Sequence, residues 1–193
     1  MPSWNLFAVV LAAGAGSRFG GRKLLAPWRG RALVAHAVER AASVCGARTV
    51  LVVGSDWQEV GAACAPLPGF FLRNEGWFEG MGGSIALGVG AVRHAADAVL
   101  LTLADQPLVT AGHLEALAAR GRSATGAIVA TGYAGGAGPP VIFPAACFDE
   151  LAALRGDRGA RSLLAKASAR VHVVPCEAAA VDIDHPDDLA RLS

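Results

Sequence analysis

The chain has 193 residues, 17 basic against 16 acidic side chains, a formal net charge of +1 and 53% hydrophobic residues. That length suits a single domain over residues 1–193, large enough for a three-layer core. The balanced charge argues against a general binder of nucleic acid or membrane surfaces.

No apolar run reaches the roughly 20 residues of a membrane helix. Residues 6–13 imitate a secretion signal, but no Lys or Arg precedes them and a buried strand explains them equally, so a cytoplasmic location is expected. Cys45, Cys64, Cys147 and Cys176 are widely spaced without a C-x-x-C pair, which predicts free thiols in a reducing compartment. The five histidines show no metal-ligand spacing.

Strand-like runs alternate with helical periodicity along the chain. Residues 6–11 form a first strand and 32–43 a helix. Residues 49–53 form a second strand, 57–63 a helix and 70–72 a short third strand. Helical spacing returns at 82–95, an apolar strand at 98–103 and a helix at 110–120. Strands at 127–131 and 140–143 flank a Gly-rich turn. Helices at 148–154 and 160–169, a strand at 171–174 and a helix at 186–192 complete the series. Such alternation predicts a three-layer α/β/α domain, a mostly parallel, Rossmann-like sheet with helices on both faces. Pro139-Pro140 places the strand that follows at an edge or in antiparallel orientation.

The first strand runs into a glycine-rich loop that holds Arg18 and Lys23, one of only two lysines in the chain. Backbone N–H groups of such a loop make an anion-binding concavity, and the two cations add full positive charge, which suits a triphosphate. A dinucleotide fingerprint fails because Phe19 stands where a third glycine is needed. A Walker loop fails because Arg22-Lys23 supplies no hydroxyl for magnesium. What remains is L-A-A-G-x-G-x-R-x-G-x-x-K, from Leu11 to Lys23.

Ligands of open α/β sheets lie beyond the carboxyl ends of the strands, and two further motifs are predicted to meet the loop there. Asp105, in L-A-D-Q-P after the strand at 98–103, is placed to supply an oxygen ligand to Mg²⁺. Thr110 caps the next helix, so Asp105 is not required for that role. Asp182 and Asp184 lie on one side of an extended segment, and either can serve as the second metal ligand while the other caps the helix opened by Pro186. The segment 74–84, N-E-G-W-F-E-G-M-G-G-S, precedes a helix and offers glycines and Ser84 to a base edge. The turn G-D-R-G-A-R at 156–161 offers arginine to a phosphate.

Together these motifs resemble the molybdenum cofactor cytidylyltransferases, within the nucleotidyltransferases that include the molybdopterin guanylyltransferase. The resemblance also rests on N-x-x-W-x-x-G-M-x-x-S, on G-x-P-V-x-F from Gly138 and on D-I-D-x-P from Asp182. It implies transfer of CMP from CTP to the terminal phosphate of molybdopterin, with release of pyrophosphate and delivery of the product to a molybdenum hydroxylase. It implies a nucleotide site at Ala12, Ala13, Gly14, Gly16, Arg18, Lys23, Gly80 and Ser84, with Arg18 and Lys23 as the catalytic charges. Mg²⁺, or Mn²⁺, is implied at Asp105 with Asp184 or Asp182. Acceptor contacts are expected at Asn74, Trp77, Gly138, Asp157 and Arg161.

Guanylyl-transferring relatives carry L-A-G-G where this chain has Leu11-Ala12-Ala13-Gly14, which favours CTP. Phe19 stands where the family often has methionine, and His185 where threonine is usual. The rivals are nucleotidyl transfer to another phosphorylated acceptor, such as a sugar or polyol phosphate, and a non-catalytic carrier of the finished cofactor.

Overall fold

A computed structural model describes residues 4–14, 16–66, 69–166 and 171–192. The first strand, β1 (Leu6–Ala12), is buried on both faces: Ala8, Val10 and Ala12 enter one hydrophobic core, Val9 and Leu11 the other. This is why its sequence reads as one apolar run rather than an alternation. After the glycine-rich loop come a small hairpin, β2 (Pro27–Trp28) and β3 (Arg31–Ala32), and helix α1 (Leu33–Cys45). Strand β4 (Thr49–Val53), helix α2 (Trp57–Ala63) and strand β5 (Phe70–Arg73) follow. Then come α3 (Met81–Val92), β6 (Ala98–Leu103), α4 (Ala111–Ser123), β7 (Ile128–Tyr133) and β8 (Gly136–Pro144). Helices α5 (Phe148–Ala152) and α6 (Arg161–Lys166), strand β9 (Val171–Pro175) and helix α7 (Pro186–Ala190) close the chain.

The seven-stranded sheet has the order β5-β4-β1-β6-β8-β7-β9, and only β8 runs against its neighbours. It is a three-layer α/β fold, as the alternation predicted. Helices α1 and α4 pack in the core of one face; α3, α5 and α6 pack in the core of the other. From β1 the chain moves through β4 to β5, then crosses back to place β6 on the other side of β1. That reversal leaves a crevice at the carboxyl ends of β1 and β6.

Several boundaries differ from expectation. The strand expected at 140–143 begins at Gly136, and it lies inside the sheet in antiparallel orientation, not at an edge. A register shift between Ala130 and Thr131 leaves Pro139 and Pro140 outside the paired positions of β7 and β8, which accommodates residues that cannot donate to the ladder. The helix expected at 82–95 starts at Met81 and stops at Val92. Of the helix expected at 160–169, residues 161–166 are helical and 167–169 lie outside the described residues. The hairpin at residues 27–32 was missed because strands of two residues carry no periodicity.

Candidate active site

The loop after β1 turns through Gly16, which is left-handed at φ 59°, into a short helical turn at Ser17–Phe19. A second turn, Lys23–Leu25, is anchored by buried Leu24 and projects Lys23 back across the end of the sheet. Lys23 Nζ lies 2.7 Å from Asp105 Oδ2 and 3.7 Å from Asp184 Oδ1. Its side chain keeps 11% of its exposure and that of Asp105 keeps 25%, so this pair is poorly screened. Arg18 Nη1 reaches Asp184 Oδ2 at 2.7 Å from a far more exposed position. Two cations and two carboxylates, drawn from three distant stretches of sequence, therefore meet at one strand edge.

Buried backbone contacts hold this cluster. Asp105 sits just beyond β6, and the preceding Ala104 N–H donates to Leu11 O at 3.1 Å, which ties the turn to β1. The Arg40 guanidinium donates to Pro107 O at 2.6 Å and to Gln106 O at 3.3 Å; burial lowers its pKa to about 10, so it stays charged at neutral pH. Gln106 is buried and its Nε2 donates to Ala179 O at 2.8 Å. The N–H of fully buried Ile183 donates to Asp105 O at 3.0 Å. The two acidic segments are thus joined through main chain and one amide side chain.

Asp182 and Asp184 flank Ile183, and it is Asp184 that pairs with Arg18 and Lys23 among the described residues. Asp188 holds Asp184 in place by accepting the N–H groups of Asp184 (3.0 Å) and His185 (2.7 Å). Those two hydrogen bonds lower the Asp188 pKa. Asp182 is exposed on one flank and packed against protein on the other. That partial burial, followed by the negative charge of Asp105, pushes its pKa up to about 6, against the opposing pull of Gln106 and Lys23.

A cleft of about 470 Å³ opens beside the cluster, lined by Ala13, Gly14, Lys23, Asp105, Gly80, Ser84, Trp77 and Asp157 among others. Leu11, Leu103, Met81 and Phe78 make much of its apolar wall. Gly80 has φ 114°, and a Cβ there would stand 2.5 Å from the Gly156 carbonyl carbon and 2.6 Å from Asp157 Oδ1. Only glycine lets the start of α3 lie against the 156–157 turn, and the Gly82 N–H donates to Gly156 O at 2.8 Å.

Of the expected site residues, Ala13, Gly14, Lys23, Trp77, Gly80, Ser84, Asp105 and Asp157 line the cleft, and Arg18 and Asp184 join the charged cluster beside it. Ala12, Gly16 and Asp182 do not line it, nor do three of the expected acceptor contacts. Gly138 is buried in β8, where a side chain would collide with Tyr133, so it serves strand packing. Arg161 is exposed at the start of α6, away from the cleft lining. Asn74 turns toward Ser84 and Gly76. Sequence reading missed Asp188, the side-chain role of Gln106 and the apolar wall. The polar Gln106 directly after an apolar strand was the available signal for a buried tether.

As to metal, among the described residues no three His, Cys, Asp or Glu groups converge as a preformed site. The donors nonetheless fit Mg²⁺, which binds one or two carboxylates and takes its other ligands from phosphates and water. The ammonium of Lys23, held between Asp105 and Asp184, marks a locus suited to positive charge.

A doubly wound sheet with a cation-bearing glycine loop, a carboxylate pair and an apolar slot defines a nucleotide-handling α/β domain. Residues 8–173 match the family described as the MobA-like NTP transferase domain. The chain belongs to that family of molybdenum-cofactor-related nucleotidyltransferases. It is similar to nicotine blue oxidoreductase of Paenarthrobacter nicotinovorans, with 34% identity over 95% of this chain and 94% of that one. It is also similar to the purine catabolism protein PucB of Bacillus subtilis, with 32% identity over 85% and 82% of the two chains. The crystal structure of Rv0371c from Mycobacterium tuberculosis superimposes with a TM-score of 0.87 at 29% identity, over 100% of this chain and 98% of that one. A manganese complex of Rv0371c superimposes at 0.81 with 28% identity, over 97% of each chain.

Proposed function

We propose that this protein transfers CMP from CTP to the terminal phosphate of molybdopterin. The observation that carries the reading is the meeting of Lys23, Arg18, Asp105 and Asp184 at the mouth of the cleft. An acceptor phosphate oxygen attacks the α-phosphorus in line; the bond from that phosphorus to the bridging oxygen breaks, and the electron pair leaves with pyrophosphate. No protein nucleophile is required, because positioning and charge compensation lower the barrier.

Lys23 and Arg18 offset negative charge on the phosphates, and the glycine loop brings backbone N–H groups against them. Asp105 and Asp184 would hold Mg²⁺ or Mn²⁺, which when bound supplies Lewis-acid neutralisation of the triphosphate. The manganese complex of the 28% identical Rv0371c supports a divalent ion here. Ala13 supports CTP over GTP through the resemblance described above, and Trp77, Phe78 and Asp157 border the side on which an acceptor would lie.

The test is pyrophosphate release on mixing protein, Mg²⁺, molybdopterin and each of the four NTPs. Turnover with CTP is expected; turnover with GTP alone would move the protein to guanylyl transfer, and turnover with a sugar or polyol phosphate would move it to another acceptor. Tight binding of cytidylylated cofactor without turnover would indicate the carrier.

A redox reading is favoured by one observation, the name of the 34% identical relative. It predicts oxidation or reduction of nicotine blue by this protein. Lys23, Asp105 and Asp184 have no evident task in such a reaction, so nucleotidyl transfer is the better account.

A further inference from the structure

Asn74 lies one residue beyond β5, and its backbone N–H donates to Val53 O at 2.9 Å, which extends the sheet ladder. Its side chain bridges two partners: Oδ1 accepts the Gly76 N–H at 3.0 Å, and Nδ2 donates to Ser84 Oγ at 2.9 Å. The backbone donor determines the orientation of the amide, because the flipped amide would set N–H against N–H. Ser84 is 3% exposed, lies in the first turn of α3 and contributes to the cleft wall beside Leu11, Leu103 and Met81. That end of the cleft is apolar around one hydroxyl, whereas the cations lie toward Lys23. It suits a flat base rather than a phosphate.

A hydroxyl has one hydrogen to give and two lone pairs to receive with. One lone pair of Ser84 is taken by Asn74, so its hydrogen remains for a ligand. Resting on the reading of the cleft as a cytidylyl-transfer site, we infer that Asn74 is a positioning residue for base choice. It holds Ser84 as a donor, and so selects a ring nitrogen that accepts a hydrogen bond over one that carries hydrogen. Cytosine offers such an acceptor at N3, whereas uracil carries N–H there and would face the Ser84 donor. A site built around a hydrogen bond discriminates against the analogue that leaves its polar group unpaired.

The test inverts the polarity without changing the shape. In Asn74→Asp, both carboxylate oxygens accept: one keeps Gly76 N–H, and the other draws the Ser84 hydrogen away from the cleft. The ratio of CTP to UTP dissociation constants, measured by calorimetry with Mg²⁺, cancels the general cost of an added negative charge. The preference for CTP is expected to fall by about tenfold or more, the size of one lost hydrogen bond. Asn74→Leu, which frees the hydroxyl to rotate, is expected to fall between wild type and Asn74→Asp. Melting temperatures of both variants establish that they are folded.

A wild-type preference for CTP that survives Asn74→Asp in folded protein overturns the role of Asn74 and leaves the cytidylyl reading intact. Wild-type protein that prefers GTP, or binds no NTP, overturns the cytidylyl reading itself.

Discussion

At the scale of single residues, Lys23 is the group on which the proposed chemistry most depends. It is nearly buried, touches both candidate metal carboxylates and projects from the loop that faces the cleft. Removing one such charge clamp costs about 10²–10³ in rate. Lys23→Met, which keeps much of the packing, is therefore expected to lose that factor in kcat for pyrophosphate release, and an activity within threefold of wild type would refute the assignment. Asp105 was legible as a candidate because a carboxylate just after an apolar strand has few structural excuses, and Lys23 because one of only two lysines stands in the glycine-rich loop. The Asp182/Asp184 pair was legible because alternate residues of an extended segment face one way. The choice between Asp182 and Asp184 was not legible. Extended geometry would put both on one side of the segment, and it takes Arg18, from the first loop, and Asp188, from the last helix, to turn Asp184 into the cluster. Gly138 failed to reach the cleft for a related reason: a motif glycine can mark close packing as readily as a ligand, and here Tyr133 fills the space.

At the scale of elements, α3 makes its own test of how helix and sheet are matched. A Cβ at Gly88 would stand 2.5 Å from Val9 Cγ1 and 3.1 Å from Val52 Cγ2, whereas one at Gly90 meets nothing within 4 Å. Gly→Ala in a helix gains about 0.5–1 kcal/mol in backbone entropy, but overpacking a core costs about 1–3 kcal/mol. Gly90→Ala is expected to stabilise and Gly88→Ala to destabilise, read from denaturant midpoints; the same sign at both positions would mean that α3 does not sit this close to β1.

A second device joins α4 to β7 and β8. Thr131 Oγ1 donates to Pro140 O at 2.7 Å and so must accept from His113 Nε2–H at 2.8 Å, which places a proton on Nε2. Burial lowers the His113 pKa below 6.5. The folded state then binds fewer protons than the unfolded one, and this contribution is lost as pH falls through 6.5 toward the folded value, with no effect above it. His113→Gln is expected to cost about 1 kcal/mol at pH 7.5 for the lost hydrogen bond, with the gap to wild type narrowing at pH 5. A gap that stays constant would show that His113 titrates normally. Neither device was visible beforehand, since period and propensity place a helix without saying which of its glycines meets a strand.

Across the whole molecule, one crevice depends on stretches from residue 11 to residue 188. The loop after β1, the start of α3, the turn after β6, the 156–157 turn and the cap of α7 all contribute to it. The alternation of strands and helices in the sequence anticipated that architecture, because the central strands β1, β4 and β6 are buried on both faces and read as apolar runs. The insertion of β8 between β6 and β7 was not anticipated, since pairing between distant strands leaves no local trace. A ligand that joins these stretches stabilises the native state as a unit, by RT ln(1 + [L]/Kd), about 2.7 kcal/mol at a hundredfold excess over Kd. For a domain of this size, each kcal/mol moves Tm by about 2–4 °C. CTP with Mg²⁺ at that excess is therefore expected to raise Tm by about 5–10 °C, with much of the rise lost in EDTA or in Asp105→Asn. A rise of equal size in EDTA would mean that the carboxylate pair does not act through a metal. An equal rise with all four NTPs would confine recognition to the triphosphate and leave the apolar slot without a role in base choice.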